Sequence, residues 1–451
     1  MTASAIDPAA TAFVIAADGS YAARLAGDGE ARFPERWTLC GPEPYAVPLP
    51  LEQPEEADSE VLPLTDGRVL IHRRVADRHA FALLYPTGHE TGPRTGELQL
   101  GGIEAKEGRR VRLLPPSPDG TSAYALVVDG AESAVWRVAG SGSERAGAGT
   151  DGPERVAEVR GRCSGGVWLD RTGRMLALDR ELAGVGVKAV AVDLTRGGDV
   201  TPLLQIAEGS NDRLLLAEPD SGLLIIRSDA PGEPRLGWGV LGSARPVRFP
   251  ECLRAEADGA EPFAVQPGQA LMPESSAVAL RLADGGLGLW RPADRRMFSL
   301  RGPVGWLGGA GLWTPEGALR LPYATPEVPC GVLTVTVPHP VPAIRLVPMS
   351  VPAQPDPSAP GGAAGLGTGP GPGPDTGLGR NADPGPDAGP GRATGLGPGT
   401  GPGSGEAAAG TAGTGGTGLG AAAGRAPIRP VPLQQAPFPK GPQGVFYKVF
   451  G

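Results

Sequence analysis

The side chains that could carry out chemistry are few and scattered along this chain of 451 residues. Its four histidines are His72, His79, His89 and His339, and only the first two are close in sequence. Nucleophilic catalysis needs a nucleophile placed beside a base, yet the sequence has neither a Gly-x-Ser-x-Gly elbow nor a Walker A loop. We therefore expect no catalytic residue, and we assign His72 and His79, which lie among arginines, to structural or surface positions.

Metal binding is the second chemistry to consider. Glu208, Asn211 and Asp212 bring carboxylate and amide oxygens together within five positions, and such oxygens are ligands for divalent cations. An ordinary polar loop has the same composition, and we favour that interpretation. The cysteines are isolated from one another and form no Cys-x-x-Cys pair, which predicts reduced thiols rather than a disulfide or a zinc site; they are Cys40, Cys163, Cys252 and Cys330. No cofactor is expected.

A repeated hairpin is the element that must position these residues. In the clearest copy, Val167 and Leu169 lie on one face of a strand, Asp170–Gly173 forms a turn, and Leu176 and Leu178 follow on a returning strand. Similar turns recur about every 50 residues. The interval from Gly222 to Gly317 is twice as long, and the turn at Gln266–Gln269 divides it. The glycines of these turns are Gly19, Gly67, Gly120, Gly173, Gly222, Gly268 and Gly317.

Each repeat has room for about four short strands, which is the size of one β-propeller blade. No long run of residues with helical periodicity interrupts the repeats. We therefore predict an all-β fold, a seven-bladed β-propeller over residues 10–351. Six or eight blades remain possible, because the later turns depart from the pattern of the earlier ones.

Two of the hairpins also resemble a known repeat. Ser117-Pro118-Asp119-Gly120 and the variant Leu169–Ala177 are similar to the blade signature of WD40-like propellers of the TolB (PD40) type. The resemblance implies a propeller and says nothing about a ligand. Propeller lactonases hold a divalent cation with a Glu, an Asn and an Asp at the channel mouth, so Glu208, Asn211 and Asp212 keep a metal-dependent hydrolase open as the alternative. The preference for Arg over Lys resembles actinobacterial proteins.

The C-terminal quarter of the chain has a different composition. Residues 352–424 are mostly Gly, Pro, Ala and Thr, which predicts a disordered linker because so few large apolar side chains cannot offset the entropy lost on ordering. Residues 425–451 are rich in proline and then regain aromatic side chains. Phe446, Tyr447 and Phe450 in this last segment are candidates for contact with a partner.

Charge and hydropathy exclude two classes of partner. The net charge is −8 and the tail is nearly neutral, so the repeat region is acidic and a nucleic-acid partner is not expected. We find no signal peptide and no apolar run long enough for a membrane helix, and we expect a cytoplasmic protein without membrane contact. Arg109, Arg110 and Arg112 are interpreted as a solvated strand face. The sequence favours a non-catalytic scaffold that binds a protein or peptide.

Overall fold

The computed structural model describes residues 12–27, 31–87, 94–140, 152–255 and 259–336. The predicted linker 352–424 and the C-terminal segment 425–451 lie outside the described residues. The first four groups of strands are β1 (Val14–Ile15), β2 (Tyr21–Ala26), β3 (Phe33–Thr38), β4 (Tyr45–Pro48), β5 (Glu60–Pro63), β6 (Val69–Val75), β7 (Arg78–Thr87), β8 (Arg94–Glu104), β9 (Arg110–Leu113), β10 (Ala123–Asp129), β11 (Glu132–Ala139), β12 (Glu154–Arg160), β13 (Arg162–Trp168), β14 (Met175–Leu182), β15 (Gly186–Asp193) and β16 (Asp199–Pro202).

The remaining elements continue the same pattern with only two short helices between them. They are β17 (Asp212–Glu218), β18 (Leu223–Ser228), β19 (Arg235–Val240), the single-turn helix α1 (Cys252–Ala255), β20 (Glu261–Val265), a 3₁₀ turn (Pro273–Ser275), β21 (Val278–Arg281), β22 (Leu287–Trp290), β23 (Phe298–Leu300), β24 (Leu312–Trp313), β25 (Ala318–Tyr323) and β26 (Gly331–Thr336). The expectation of an almost entirely β protein is confirmed for the part that the structure describes.

The strands form six sheets in chain order within the described residues. Five of the sheets contain β1–β4, β5–β8, β9–β12, β20–β23 and β24–β26. The sixth consists of two antiparallel groups, β13–β16 and β17–β19, joined by one parallel bridge between Lys188 and Asp212. We number the resulting antiparallel groups 1 to 7 along the chain.

Strand alternation explains why the second strand of each group is apolar on both faces. On β6, Val69 and Ile71 pack against group 1, whereas Leu70 between them packs against group 3. On β14, Met175 and Ala177 face group 5, and Leu176 faces group 3. Because successive side chains point to opposite faces, a strand buried between two sheets must be apolar at nearly every position.

Seven hydrophobic clusters connect the groups in sequence. Clusters join groups 1 and 2, 2 and 3, 3 and 4, 4 and 5, 5 and 6, and 6 and 7. The seventh joins group 7 back to group 1, with Trp37 and Phe13 packed against Cys330 and Val332. Arg320 adds a 2.8 Å hydrogen bond to the carbonyl of Leu39 across the same junction. Packing therefore proceeds around a closed ring of antiparallel sheets, which is the architecture of a β-propeller.

The predicted turns lie between the first and second strands of the seven groups. Their glycines all have positive φ, for example 71° at both Gly120 and Gly173, which confirms why glycine is used there. The turns also touch the preceding group. Thr65 donates a 2.9 Å hydrogen bond from Oγ1 to the carbonyl of Gly120, and a Cβ added to Gly173 would collide with Ser117.

Four tryptophans of the repeats, Trp168, Trp238, Trp290 and Trp313, are buried, and Trp306 is half-buried against the cluster between groups 6 and 7. Residues 202–206 have the apolar content of a strand, but β16 ends at Pro202. Beyond it, the amides of Leu203 and Leu204 both donate to the carbonyl of Ala189 and turn the chain into the core.

Candidate functional site

A cavity of about 970 Å³ lies where the first strands of the groups face one another. Its walls include residues of β1, β5, β9, β13, β20 and the segment before β24, which come from six of the seven groups. Apolar side chains dominate the wall, among them Val14, Leu62, Val111, Phe263 and Leu312. The position within the ring identifies the cavity as the central channel. A mostly apolar pocket with a few placed charges is the usual form of a binding site.

Glu60 is one of the charged residues on this wall, and it is firmly held. Its Oε2 accepts a 2.8 Å hydrogen bond from the backbone amide of Leu113 and lies 3.1 Å from Nδ1 of His72. His72 Nε2 is in turn 3.0 Å from Nδ1 of His79. A carboxylate can only accept, so the proton between Glu60 and His72 belongs to His72 Nδ1.

The two histidines extend this hydrogen-bond chain from the cavity into group 2. Both side chains are buried. Burial lowers the pKa of His79 below its ordinary value, and the nearby His72 and Arg74 lower it further. His79 is therefore neutral at physiological pH, and its Nδ1 shares one hydrogen bond with Nε2 of His72. The chain fixes the orientation of Glu60 towards the cavity.

Arg112 is a further charged residue on the wall, which also includes Arg32 and Asp58. Arg109, Arg110 and Arg112 were expected to form a solvated face; Arg110 and Arg112 are exposed, whereas Arg109 is half-buried and pairs with Asp129. The solvent that Arg112 faces is that of the cavity. The guanidinium of Arg112 donates a close hydrogen bond to the carbonyl of Gly165. Desolvation within the wall lowers the pKa of Arg112, although it remains fully charged at neutral pH.

Gly165 belongs to a bulge that lets Arg112 approach. The pairing of β13 with β14 shifts between Ser164 and Val167, and Gly165 and Gly166 both have positive φ, at 71° and 138°. A Cβ on Gly166 would lie 2.7 Å from the side chain of Leu114. Glycine is required at this point for both conformation and space.

Asp179 lies directly behind the bulge. Its Oδ1 accepts a 3.0 Å hydrogen bond from the backbone amide of Leu214, and its Oδ2 is 3.4 Å from Nη1 of Arg213. Arg213 also donates to Oγ of Ser164 at 3.1 Å. Burial raises the pKa of Asp179 to about 6, because these favourable contacts compensate for desolvation only in part. A carboxyl group that titrates close to neutral pH thus lies behind the cavity wall.

The residues considered for metal binding are brought together only in part. Asp212 is fully buried and accepts hydrogen bonds from Nζ of Lys188 at 2.7 Å, Oγ of Ser228 at 2.6 Å and the backbone amide of Ile206 at 2.9 Å. Asn211 pairs with Asp229, whereas Glu208 is exposed. Within the described residues, no group of three or more His, Cys, Asp or Glu could hold a metal ion.

Other expected features are located as follows. The partner-contact candidates Phe446, Tyr447 and Phe450 lie outside the described residues. All four cysteines are described and are free thiols, as expected. No helix in the described part of the chain is long and apolar enough to cross a membrane.

Sequence reasoning missed Glu60, Arg112 and Asp179 as residues of one site. One signal could have found two of them. Glu60 and Arg112 are separated by about one repeat, and each lies in the first strand of its group. Equivalent positions in neighbouring blades face the same channel, so charged residues that recur at the repeat interval on first strands are candidates for a channel site.

No protein-family model matches the chain, and no curated protein matches it. Among solved structures, it is similar to prolyl oligopeptidase B from Galerina marginata, at 12% identity and a TM-score of 0.41, over 72% of this chain and 45% of that one. The chain thus spans less than half the length of that enzyme. It is also similar to a putative TolB from Agrobacterium tumefaciens, at 15% identity and a TM-score of 0.33, over 73% of this chain and 90% of that one.

A third similar structure is Sqt1 from Chaetomium thermophilum, solved with the N-terminus of ribosomal protein L10. It has 13% identity and a TM-score of 0.40, over 69% of this chain and 82% of that one. Identities and scores this low leave the function to be argued from the residues of this chain itself.

Proposed function

We propose that this chain is a seven-bladed β-propeller that acts as a non-catalytic scaffold and binds a protein or peptide partner in its central cavity. The blade count is supported by the seven clusters that connect groups 1 to 7 and return to group 1. The observation that supports the function best is the cavity itself, whose apolar wall carries oriented charges at Glu60 and Arg112.

The dimensions and chemistry of the cavity suit a peptide. Its volume of about 970 Å³ is at the upper end of the range for small-molecule pockets. Apolar wall residues from different groups, such as Val14 and Phe263, can accept side chains of a bound segment. Arg112 and Glu60 can orient its polar groups. The loops at the rim, including Ala57 and Asp58, remain exposed to a larger partner.

The contacts of the described residues favour this function over the metal-dependent hydrolase. A catalytic metal needs ligands with free lone pairs and an open coordination position. Asp212 is buried and already accepts from several donors, and Asn211 is bound to Asp229. Glu60 and Asp179 lie on different groups, and each is held by a backbone amide.

Obstruction of the cavity tests the proposal. Ala57 is exposed at the rim, so Ala57→Trp should narrow the entrance without disturbing the fold. Ala131, in the exposed hairpin between β10 and β11, lies outside the cavity wall, and Ala131→Trp is the matched control. The immobilised protein is used to select ligands from a random peptide display library, and their affinities for the three proteins are compared.

We expect the selected peptides to lose affinity for Ala57→Trp, by roughly tenfold or more, and to bind Ala131→Trp as they bind the unaltered chain. Equal binding to both variants would place the interface elsewhere. Repeated selections that enrich no peptide would contradict peptide binding altogether.

A further inference from the structure

Arg112 presents a positive charge to the cavity that the described protein does not neutralise by contact. Its close hydrogen bond is to a neutral backbone carbonyl, that of Gly165, and it forms no ion pair among the described residues. A guanidinium offers several N–H donors in a planar fork. Most of these donors therefore remain available to a molecule in the cavity.

The nearby carboxylates are committed to other partners. Glu60 accepts from the amide of Leu113 and from His72, and Asp179 accepts from the amide of Leu214 and contacts Arg213. Both are close enough to influence Arg112 electrostatically. Neither, however, is within ion-pair distance of it in the described structure. Arg112 is exposed to the water of the cavity, so a carboxylate that enters the cavity can replace this water and supply the missing counter-ion.

We propose that Arg112 anchors the free carboxy-terminus of a bound peptide, with the preceding residues extended along the apolar wall of the cavity. This inference rests on the proposed function and specifies its ligand. A carboxylate matches the guanidinium fork and can accept two parallel hydrogen bonds from it. Capture of a terminal carboxylate is an established mode of peptide recognition.

The position of Arg112 favours a chain end over an acidic side chain. Arg112 lies on β9, inside the ring, rather than on a loop at the rim. A chain end can bring its charge to this depth as one extended segment. An acidic side chain in the middle of a peptide could reach Arg112 only if the peptide ran into the cavity and out again. The wall near this path is apolar, at Val111 and Leu312 for example, and matches uncharged residues before the terminus.

The test compares three fluorescent mixtures of random short peptides on the full chain. The first has free carboxy-termini, the second is the same mixture with amidated termini, and the third is amidated but contains one internal glutamate. Binding is measured by fluorescence polarisation to the unaltered protein, to Arg112→Gln and to Arg112→Lys. Arg296→Gln, which removes the same charge from an exposed loop between β22 and β23, is the control.

We expect the free mixture to bind the unaltered protein roughly tenfold more tightly than the amidated mixture. Arg112→Gln should remove that difference, and Arg112→Lys should restore part of it, which a misfolded variant would not show. Arg296→Gln should leave it unchanged. If the glutamate mixture binds as well as the free one, the anchor recognises an acidic side chain and the terminal assignment is wrong.

Two other outcomes separate this inference from the proposed function. If free and amidated mixtures bind equally, and Arg112→Gln binds both as before, the carboxylate anchor is refuted while peptide binding stands. If none of the mixtures binds, both proposals fail together.

Discussion

Asp179, which lies behind the cavity wall, makes the stability of this region depend on pH. Its pKa in the folded protein is about 6, above the ordinary value near 4, because it is buried. Between these values the folded chain holds a proton that the unfolded chain has lost. The resulting stabilisation is fully present below about pH 4 and is lost as the pH rises through 6, a decrease on the order of 2 to 3 kcal/mol.

Asp179→Asn should remove this dependence. The Asn oxygen can still accept from the amide of Leu214, so the hydrogen bond at 3.0 Å has a replacement. We expect the variant to be at least as stable as the unaltered chain at pH 8 and to lose the decrease in unfolding free energy between pH 4 and 7. Denaturant unfolding at several pH values measures this unfolding free energy, and Asp77→Asn at an exposed position is the control. A stability difference that is the same at every pH would show that Asp179 does not titrate in this range.

The residues of the cavity also show what the sequence could and could not predict. His72 and His79 were expected at structural or surface positions, and both are buried. Arg112 was expected on a solvated face and is exposed, but alternation alone does not identify the cavity as what that side of the strand faces. Its approach to Gly165 crosses from group 3 to group 4, and no local pattern encodes such a contact.

At the scale of elements, the contact of Lys188 with Asp212 joins group 4 to group 5. These residues form the parallel bridge between β15 and β17, and both side chains are buried. Nζ of Lys188 donates to Asp212 at 2.7 Å, to Oγ of Ser210 at 2.9 Å and to the carbonyl of Ala207 at 2.7 Å. All three donors of the ammonium group are satisfied, which is the condition for a buried ion pair to be tolerated.

Lys188→Met should therefore be strongly destabilising, by roughly 3–5 kcal/mol, since it leaves the Asp212 carboxylate buried without a cation. Lys188→Met combined with Asp212→Leu should recover much of that loss. Lys106→Met provides the control because its pair with Glu104 is exposed, and we expect less than about 1 kcal/mol there. Chemical denaturation measures all three. Equal losses at Lys188 and Lys106 would contradict the structural role assigned to the bridge.

The hairpin elements were the most predictable part of the fold. A glycine turn such as that at Gly120 has a local cause, a positive φ, and is visible in sequence as a turn between two apolar strands. The segment at 202–206 shows the limit of this reasoning. The apolar residues of this segment are buried, as they would be in a strand. The backbone amides of Leu203 and Leu204, however, both donate to the carbonyl of Ala189, and the chain leaves the sheet there.

For the whole molecule, closure of the ring is the feature that sequence periodicity cannot establish. A repeat count predicts the number of similar units but not that the last packs on the first. In the structure, the junction depends on Trp37, which is fully buried, and on Val332 of β26, nearly 300 positions later. This packing supports the proposed seven blades, whereas the predicted boundary near residue 351 lies outside the described residues and stays a prediction.

Deletion of β26 tests whether closure of the ring stabilises group 1. A chain that ends after Thr336 keeps all seven clusters of the described residues and serves as the reference. A chain that ends after Thr325 loses Cys330 and Val332 from the closing cluster and exposes the group 1 side of the junction. Native-state hydrogen exchange should then lose protection in β2 and β3 before β14, which lies across the ring. Unchanged protection in β2 would mean that group 1 is stable without closure, and the ring would then be held together by its consecutive contacts alone.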